Sequence, residues 1–290
     1  MDDILLCIFN HVPLTDIVNC FSVNKQYNKA INNSFYWKQL LLTNFDYKLS
    51  DNNYKEKYRQ YFVLNKFLSK TINKNINQII NLPELNLCHN KLTELPSEIG
   101  VLVNLKKLYS YTNLLYKLPS EIGLLINLQE LNLSNNQLSI LPSEIGKLVN
   151  LRTLYFSSNK LSTLPSDIGL LVNLEMLSLS HNQLHNLPQE IGLLTNLQKL
   201  YLGVNKLSVL PSEIGLLVKL HTFHIQYNQL YILPPEIGLL VNLHTFYLNN
   251  NQLNTLPYEI GLLVNLRCLQ INEKQKHLIP DNLHHTIKYQ

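Results

Sequence analysis

Asn90, Asn113, Asn136, Asn159, Asn182, Asn205, Asn228 and Asn251 stand 23 residues apart, and that period constrains the fold more than any other feature of the chain. Around each asparagine lies the pattern LxxLxLxxNxL, as in Leu128, Leu131, Leu133, Asn136 and Leu138. A second element keeps the same period, from Leu95-Pro96-Ser97-Glu98-Ile99-Gly100 through Leu256-Pro257-Tyr258-Glu259-Ile260-Gly261. Self-similarity at this interval is the mark of a stacked-coil architecture. In xLxLx the alternating leucines point one way, which predicts a short strand with one buried face. An asparagine amide both donates and accepts, so the repeated Asn is expected to form a buried ladder to the backbone of adjacent coils. Proline sets φ at the start of the second segment, and glycine is expected to end it at a positive φ. One coil cannot bury enough apolar surface to offset ordering its own backbone, so neighbours must share faces and the ends need caps. Strands pack about 4.8 Å apart while the intervening segments need more room, so the stack should curve with its strands inside. The fold class expected is an α/β solenoid with a parallel concave sheet.

The residue between the second and third repeat leucines should project from the concave face. Down the column it reads Asn86, Tyr109, Asn132, Tyr155, Ser178, Tyr201, His224, Tyr247 and Gln270. Tyrosine suits a strand wherever it stands. It is also favoured where proteins bind one another, so Tyr109, Tyr155, Tyr201, His224 and Tyr247 are the candidate substrate-binding residues. Tyr111, Val204 and Tyr227 would widen that patch. His221, His224 and His244 fall on adjacent coils, but no cysteine or carboxylate completes a four-ligand metal set. No nucleophile–base pair, phosphate loop or acid/base carboxylate pair is visible, so neither catalysis nor a cofactor is expected. Glu98 and its equivalents share one column on the opposite side and belong to the repeat itself.

The formal charge of +4 is dispersed, with Lys and Arg nowhere massed. The densest basic stretch, Lys55 to Lys74, reads as the wet side of a helix rather than a nucleic-acid patch. No segment approaches the about 20 apolar residues of a membrane span. Met1-Asp2-Asp3 is acidic where a signal peptide would be basic, and Cys7, Cys20, Cys88 and Cys268 show no paired spacing. A cytoplasmic or nuclear protein is expected, monomeric on its own, contacting neither nucleic acid nor membrane. The Asn-, Lys-, Ile- and Tyr-rich composition is similar to coding from AT-rich genomes, giant DNA viruses among them.

On these residues the array resembles the leucine-rich-repeat superfamily, and its LPSEIG unit is similar to the class found in intracellular Ras-binding and scaffold proteins. The first 45 residues differ, with mixed helical spacing and no period. Ile4, Leu5, Ile8, Phe9 and Val12 share one helical face, Pro13 stops that helix, and Thr15 or Asp16 can cap the next. This stretch resembles an F-box at Ile4-Leu5, Ile8-Phe9, Val12-Pro13-Leu14, Asp16-Ile17, Ser22-Val23-Asn24-Lys25 and Trp37. It departs from that pattern at Asn24, at Tyr27 and in lacking the initial Leu-Pro. A plain helical cap on the solenoid is the alternative. The expected organisation is an F-box-like helical domain over 1–45, a helical linker and cap over 46–78, about nine repeats over 79–272, and a C-terminal cap or tail over 273–290.

An F-box followed by leucine-rich repeats resembles the substrate receptors of SCF (Skp1–cullin–F-box) ubiquitin ligases. The resemblance implies that a Skp1-type adaptor, with its cullin, docks on Ile4, Leu5, Ile8, Phe9, Val12, Pro13, Leu14 and Ile17. It implies equally that the concave face holds an unidentified protein substrate. The repeat class leaves open a scaffold for a Ras-like GTPase or phosphatase. A single-chain ligase of the bacterial effector type would need a catalytic cysteine domain after the repeats.

Overall fold

The computed structural model describes residues 54–74 and 81–289. The chain divides into two units, Met1–Ile79 and Ile80–Gln290. In the first, helix α1 (Tyr54–Ile72) buries Tyr58, Tyr61, Leu64 and Leu68, the i, i+3, i+4 stripe of an amphipathic helix. Arg59, Lys66 and Lys70 lie exposed, so the basic stretch is a solvated helix face. Asn73, at φ 51°, closes the helix in the left-handed region that asparagine tolerates.

The second unit is a solenoid of ten parallel strands paired in chain order, from β1 (Glu84–Asn86) and β2 (Lys107–Tyr109) to β9 (Cys268–Ile271) and β10 (Ile287–Tyr289). Equivalent repeat positions pair with each other, as Leu108 with Leu131 and Leu131 with Leu154. Between strands each full coil makes a five-residue 3₁₀ turn such as Ser143–Lys147, entered through Pro142 at φ −67° and ψ 146°. The core runs between the sheet and these turns. In one coil Leu131, Leu133, Leu138, Leu141, Ile145, Leu148 and Leu151 are all buried. Phe156, Phe223 and Phe246 replace aliphatics there, and Phe223 stacks on Phe246 at 5.4 Å.

The asparagine ladder takes the expected form. Asn159 donates through Nδ2 to the Leu133 and Phe156 carbonyls, at 2.9 and 3.0 Å, while its Oδ1 accepts from the Leu138 amide at 3.0 Å. One side chain thereby satisfies backbone groups in its own and the preceding coil. A second ladder, which the sequence reading did not anticipate, runs along exposed asparagines: Asn127 donates to Val103, Asn150 to Ile126 and Asn173 to Val149. Lys219 stands at this position in one coil and donates instead to Asn196 Oδ1 at 2.7 Å.

One expectation is corrected. No glycine has a positive φ. The repeat glycines are needed because the coils approach so closely: a Cβ on Gly169 would lie 2.6 Å from the Glu190 carbonyl oxygen of the next turn. Positive φ falls instead on the residue before each ladder asparagine, taken by His89, Thr112, Asn135, Ser158, His181, Val204, Tyr227 and Asn250. Val204, β-branched and at φ 57°, sits there against its own steric preference.

Residues 273–289, in the segment read as a C-terminal cap or tail, wind a shortened tenth coil. Ile287 of β10 pairs with Leu269, only 18 residues back. Ile279, Leu283 and Thr286 are buried beneath it. Lys274 occupies the ladder position, and its neighbour Gln275 supplies the amide, donating to the Leu253 carbonyl at 2.7 Å.

Candidate protein-binding face

The strand register brings the candidate binding residues into one column. Asn86 pairs with Tyr109, then Asn132, Tyr155, Ser178, Tyr201, His224, Tyr247 and Gln270 follow in order. They stand on the face opposite the buried leucines because strand side chains alternate.

The column has two halves of different character. In the first, Tyr109 and Tyr155 rise between Asn86, Asn132 and Ser178, all smaller. Burial and a hydrogen bond donated to the Glu130 carboxylate push the Tyr109 phenol up to about 12. Burial, then the charge of Glu130, also raises Tyr155. Glu130 lies 4.0 Å from Lys107, and Arg152 pairs with Glu175 at 2.8 Å, so carboxylates and cations balance across this half.

In the second half the rings are consecutive. Tyr201 meets His224 edge-on at 5.0 Å, and His224 stacks on Tyr247 at 4.0 Å with the rings 7° from parallel. Flanked by two phenols, His224 loses solvent, and burial lowers its pKa from the ordinary 6.5 to about 4. These rings therefore have a packing role of their own. They pack on one another while leaving an edge to solvent, because His224 fills the gap that Ser178 and Asn132 leave open elsewhere. Beside them His221 stacks on His244 at 5.2 Å. Tyr227 and Val204 stand exposed nearby, and Tyr111 packs edge-on against His89 at 5.4 Å.

Sequence reasoning missed Glu130 as the partner of Tyr109. Its signal was a carboxylate one strand over and two residues before the tyrosine column. Ile4, Leu5, Ile8, Phe9, Val12, Pro13, Leu14 and Ile17 lie outside the described residues. Among the described residues no group of three or more His, Cys, Asp or Glu is placed to hold a metal ion. No described helix is long and apolar enough to cross a membrane.

Residues 2–39 match the F-box domain family, and residues 81–102 and 126–184 match leucine-rich-repeat families. No curated protein sequence matches the chain. Among solved structures, a leucine-rich-repeat protein of Leptospira interrogans is 39% identical, over 73% of this chain and 60% of its own length, at a TM-score of 0.55. The repeat ectodomain of the plant membrane receptor kinase GASSHO1/SCHENGEN3 from Arabidopsis thaliana, in complex with CASPARIAN STRIP INTEGRITY FACTOR 2, is 32% identical at a TM-score of 0.63. That match covers 72% of this chain and 26% of the receptor chain. The leucine-rich-repeat domain of the type III effector XopL, 23% identical at a TM-score of 0.63 over 96% of this chain and 95% of its own, shares the fold. The chain thus spans less than two thirds of the first two of these proteins. With the sequence matches and the solenoid in agreement, this chain carries an F-box domain followed by leucine-rich repeats.

Proposed function

We propose that the chain is a substrate receptor of an SCF-type ubiquitin ligase, its F-box holding the adaptor and its sheet face holding the target. The observation that carries this reading is the pairing, in one chain, of an F-box at residues 2–39 with a repeat array. An F-box implies a Skp1-type adaptor, and proteins of this architecture are typically non-catalytic. In this role Ile4, Leu5, Ile8, Phe9, Val12, Pro13, Leu14 and Ile17 contact the adaptor, which connects the chain to a cullin. Tyr109, Tyr155, Tyr201, His224 and Tyr247 contact the target. The chain makes and breaks no bond itself; it holds target lysines beside a ubiquitin-charged enzyme, so that transfer proceeds at high effective concentration.

Rigid rings that keep an exposed edge and a hydroxyl suit this work, since they lose little side-chain entropy on binding. Tyr155 stands between the smaller side chains of Asn132 and Ser178. The test is co-purification of the full chain from eukaryotic lysate with a Skp1-type adaptor and cullin. Phe9→Ala with Pro13→Ala should abolish that association and leave the melting temperature of the repeats unchanged. Tyr155→Ala with Tyr201→Ala should release co-purifying targets, at about 1–3 kcal/mol for a central ring, and spare the adaptor. An intact protein that never binds adaptor at micromolar concentration overturns the ligase reading. Target capture that survives the double tyrosine variant overturns the assignment of the face.

A further inference from the structure

The sheet face is not electrically uniform along the array. In its first half charges of both signs meet: Glu130 lies 4.0 Å from Lys107, and Glu175 holds Arg152 at 2.8 Å. From β6 (Lys199–Tyr201) through β7 (Thr222–His224) and β8 (Thr245–Tyr247) to β9 that balance is gone. Between Lys199 and Ile271 the chain holds three carboxylates, Glu213, Glu236 and Glu259, and each lies in a 3₁₀ turn across the core from the sheet. The next, Glu273, opens the 3₁₀ turn after β9. Lys199 and Arg267 stand exposed, and among the described residues neither forms an ion pair. His244 and His221 continue the column that Arg267 begins. The Arg267 amide donates to the His244 carbonyl and the His244 amide to that of His221, both at 2.9 Å.

Two exposed cations with no carboxylate opposite them attract an anionic partner and turn away a cationic one. Lys199 sits on β6 and Arg267 leads into β9, three strand spacings away, or about 14 Å. An extended peptide covers that distance in about four residues, and side chains four apart in a strand point the same way. Arg267 grips a carboxylate through two parallel hydrogen bonds, Lys199 through its point charge. Alongside this path stand Tyr201 and Tyr247, whose hydroxyls donate to the same kind of acceptor. A nucleic acid fits the face poorly. Bases need open ring faces on which to stack, and here Tyr201, His224 and Tyr247 close up on one another at 5.0 and 4.0 Å. Two fixed cations also fall short of the about 6–10 phosphate contacts of a strong nucleic-acid binder.

We propose that the sheet face from β6 to β9 takes an extended acidic segment of a target protein, with carboxylates about four residues apart seated on Lys199 and Arg267. The inference rests on the reading of this face as the target site, not on the F-box. Dye-labelled decaglutamate, titrated into the full chain at about 50 mM salt, should bind with a Kd below about 100 μM. Raising the salt to about 300 mM should weaken it several-fold, because exposed charges are screened. Lys199→Glu with Arg267→Glu should cost at least about tenfold in affinity. Lys147→Glu with Lys160→Glu makes the same change of net charge away from these strands and should leave affinity nearly unchanged. Lys199→Gln with Arg267→Gln should weaken binding in the same direction and serves if the reversed pair fails to fold. Weaker or absent binding of decaglutamate by the wild-type chain overturns the proposal, as does binding that survives the substitutions at Lys199 and Arg267. A dye-labelled oligouridylate that binds more tightly than decaglutamate also overturns it and gives the face to nucleic acid. The adaptor plays no part in this titration. A chain that captures a Skp1-type adaptor but not decaglutamate therefore loses this inference alone, and the reverse result sinks the ligase role alone.

Discussion

At the scale of single residues, the ladder asparagines do the most with the fewest atoms. Asn159 is buried and bridges two coils through three backbone groups, so Asn159→Ala leaves those groups unpaired. It should destabilise the array by about 1–3 kcal/mol in thermal or urea unfolding. Asn150→Ala, which removes one bond at an exposed carbonyl, should cost well under that, and equal losses at the two sites would contradict the burial argument. His224 provides the other residue-scale expectation. Its folded pKa, about 4, lies below the ordinary 6.5, so between those values the unfolded chain takes up a proton that the folded chain refuses. The stability owed to neutral His224 is complete above 6.5 and is lost as pH falls from there to about 4. His224→Gln should flatten the decline of melting temperature over that window, and an unaltered slope would mean that the ring is better hydrated than its stacking between Tyr201 and Tyr247 implies.

At the scale of the element, the 3₁₀ turn and its glycine decide how closely coils stack. Gly169→Ala drives a methyl to 2.6 Å from the Glu190 carbonyl, which is backbone and cannot swing away, whereas at Gly261 the nearest atom stands 3.5 Å off. The first substitution should cost about 1–3 kcal/mol and the second should be tolerated, as chemical unfolding of the two variants would show. This contrast also marks what the sequence could and could not reveal. The strands, their one-residue-per-coil register and the tyrosine column were legible, because 23-residue recurrence and leucine alternation leave one parallel arrangement. The reason for the glycine was not legible, since positive φ and close approach both exclude a side chain and only coordinates separate them. The true positive-φ column escaped because His, Thr, Asn, Ser, Val and Tyr all fill it: closure of the turn imposes the angle, and composition leaves no signature. The exposed amide ladder was visible as a recurrence at 127, 150 and 173, yet solvent exposure gave no reason to expect structure from it. The final coil was hidden by its own spacing, 18 residues in place of 23. On the binding face, the column was readable from strand parity, while the fusion of Tyr201, His224 and Tyr247 into one stack depended on ring orientation.

At the scale of the whole molecule, the solenoid is a one-dimensional object in which each coil is held by its two neighbours and the last by one. Leu283, in the terminal coil, and Leu177, in a central one, are both buried but differ in reach. Leu283→Ala should cost about 2–5 kcal/mol locally and appear in hydrogen exchange as fraying of Cys268–Tyr289 alone. Leu177→Ala should lower the cooperative transition of the full array. Identical protection patterns in the two variants would show that the array melts as one block. The parallel register has a mechanical corollary. Backbone bonds such as Leu133 to Tyr155, and amide bonds such as Asn159 to Leu133, all run from coil to coil along the solenoid axis. Tension applied to the two ends therefore loads them in peeling rather than in shear, a few at a time. Each coil that lets go releases 23 residues, roughly 75–80 Å of slack, and relaxes the pull before its neighbour feels it. Such a chain behaves as a ratcheted tether, yielding in equal steps under a steady tug where a globular domain of the same size would hold and then burst.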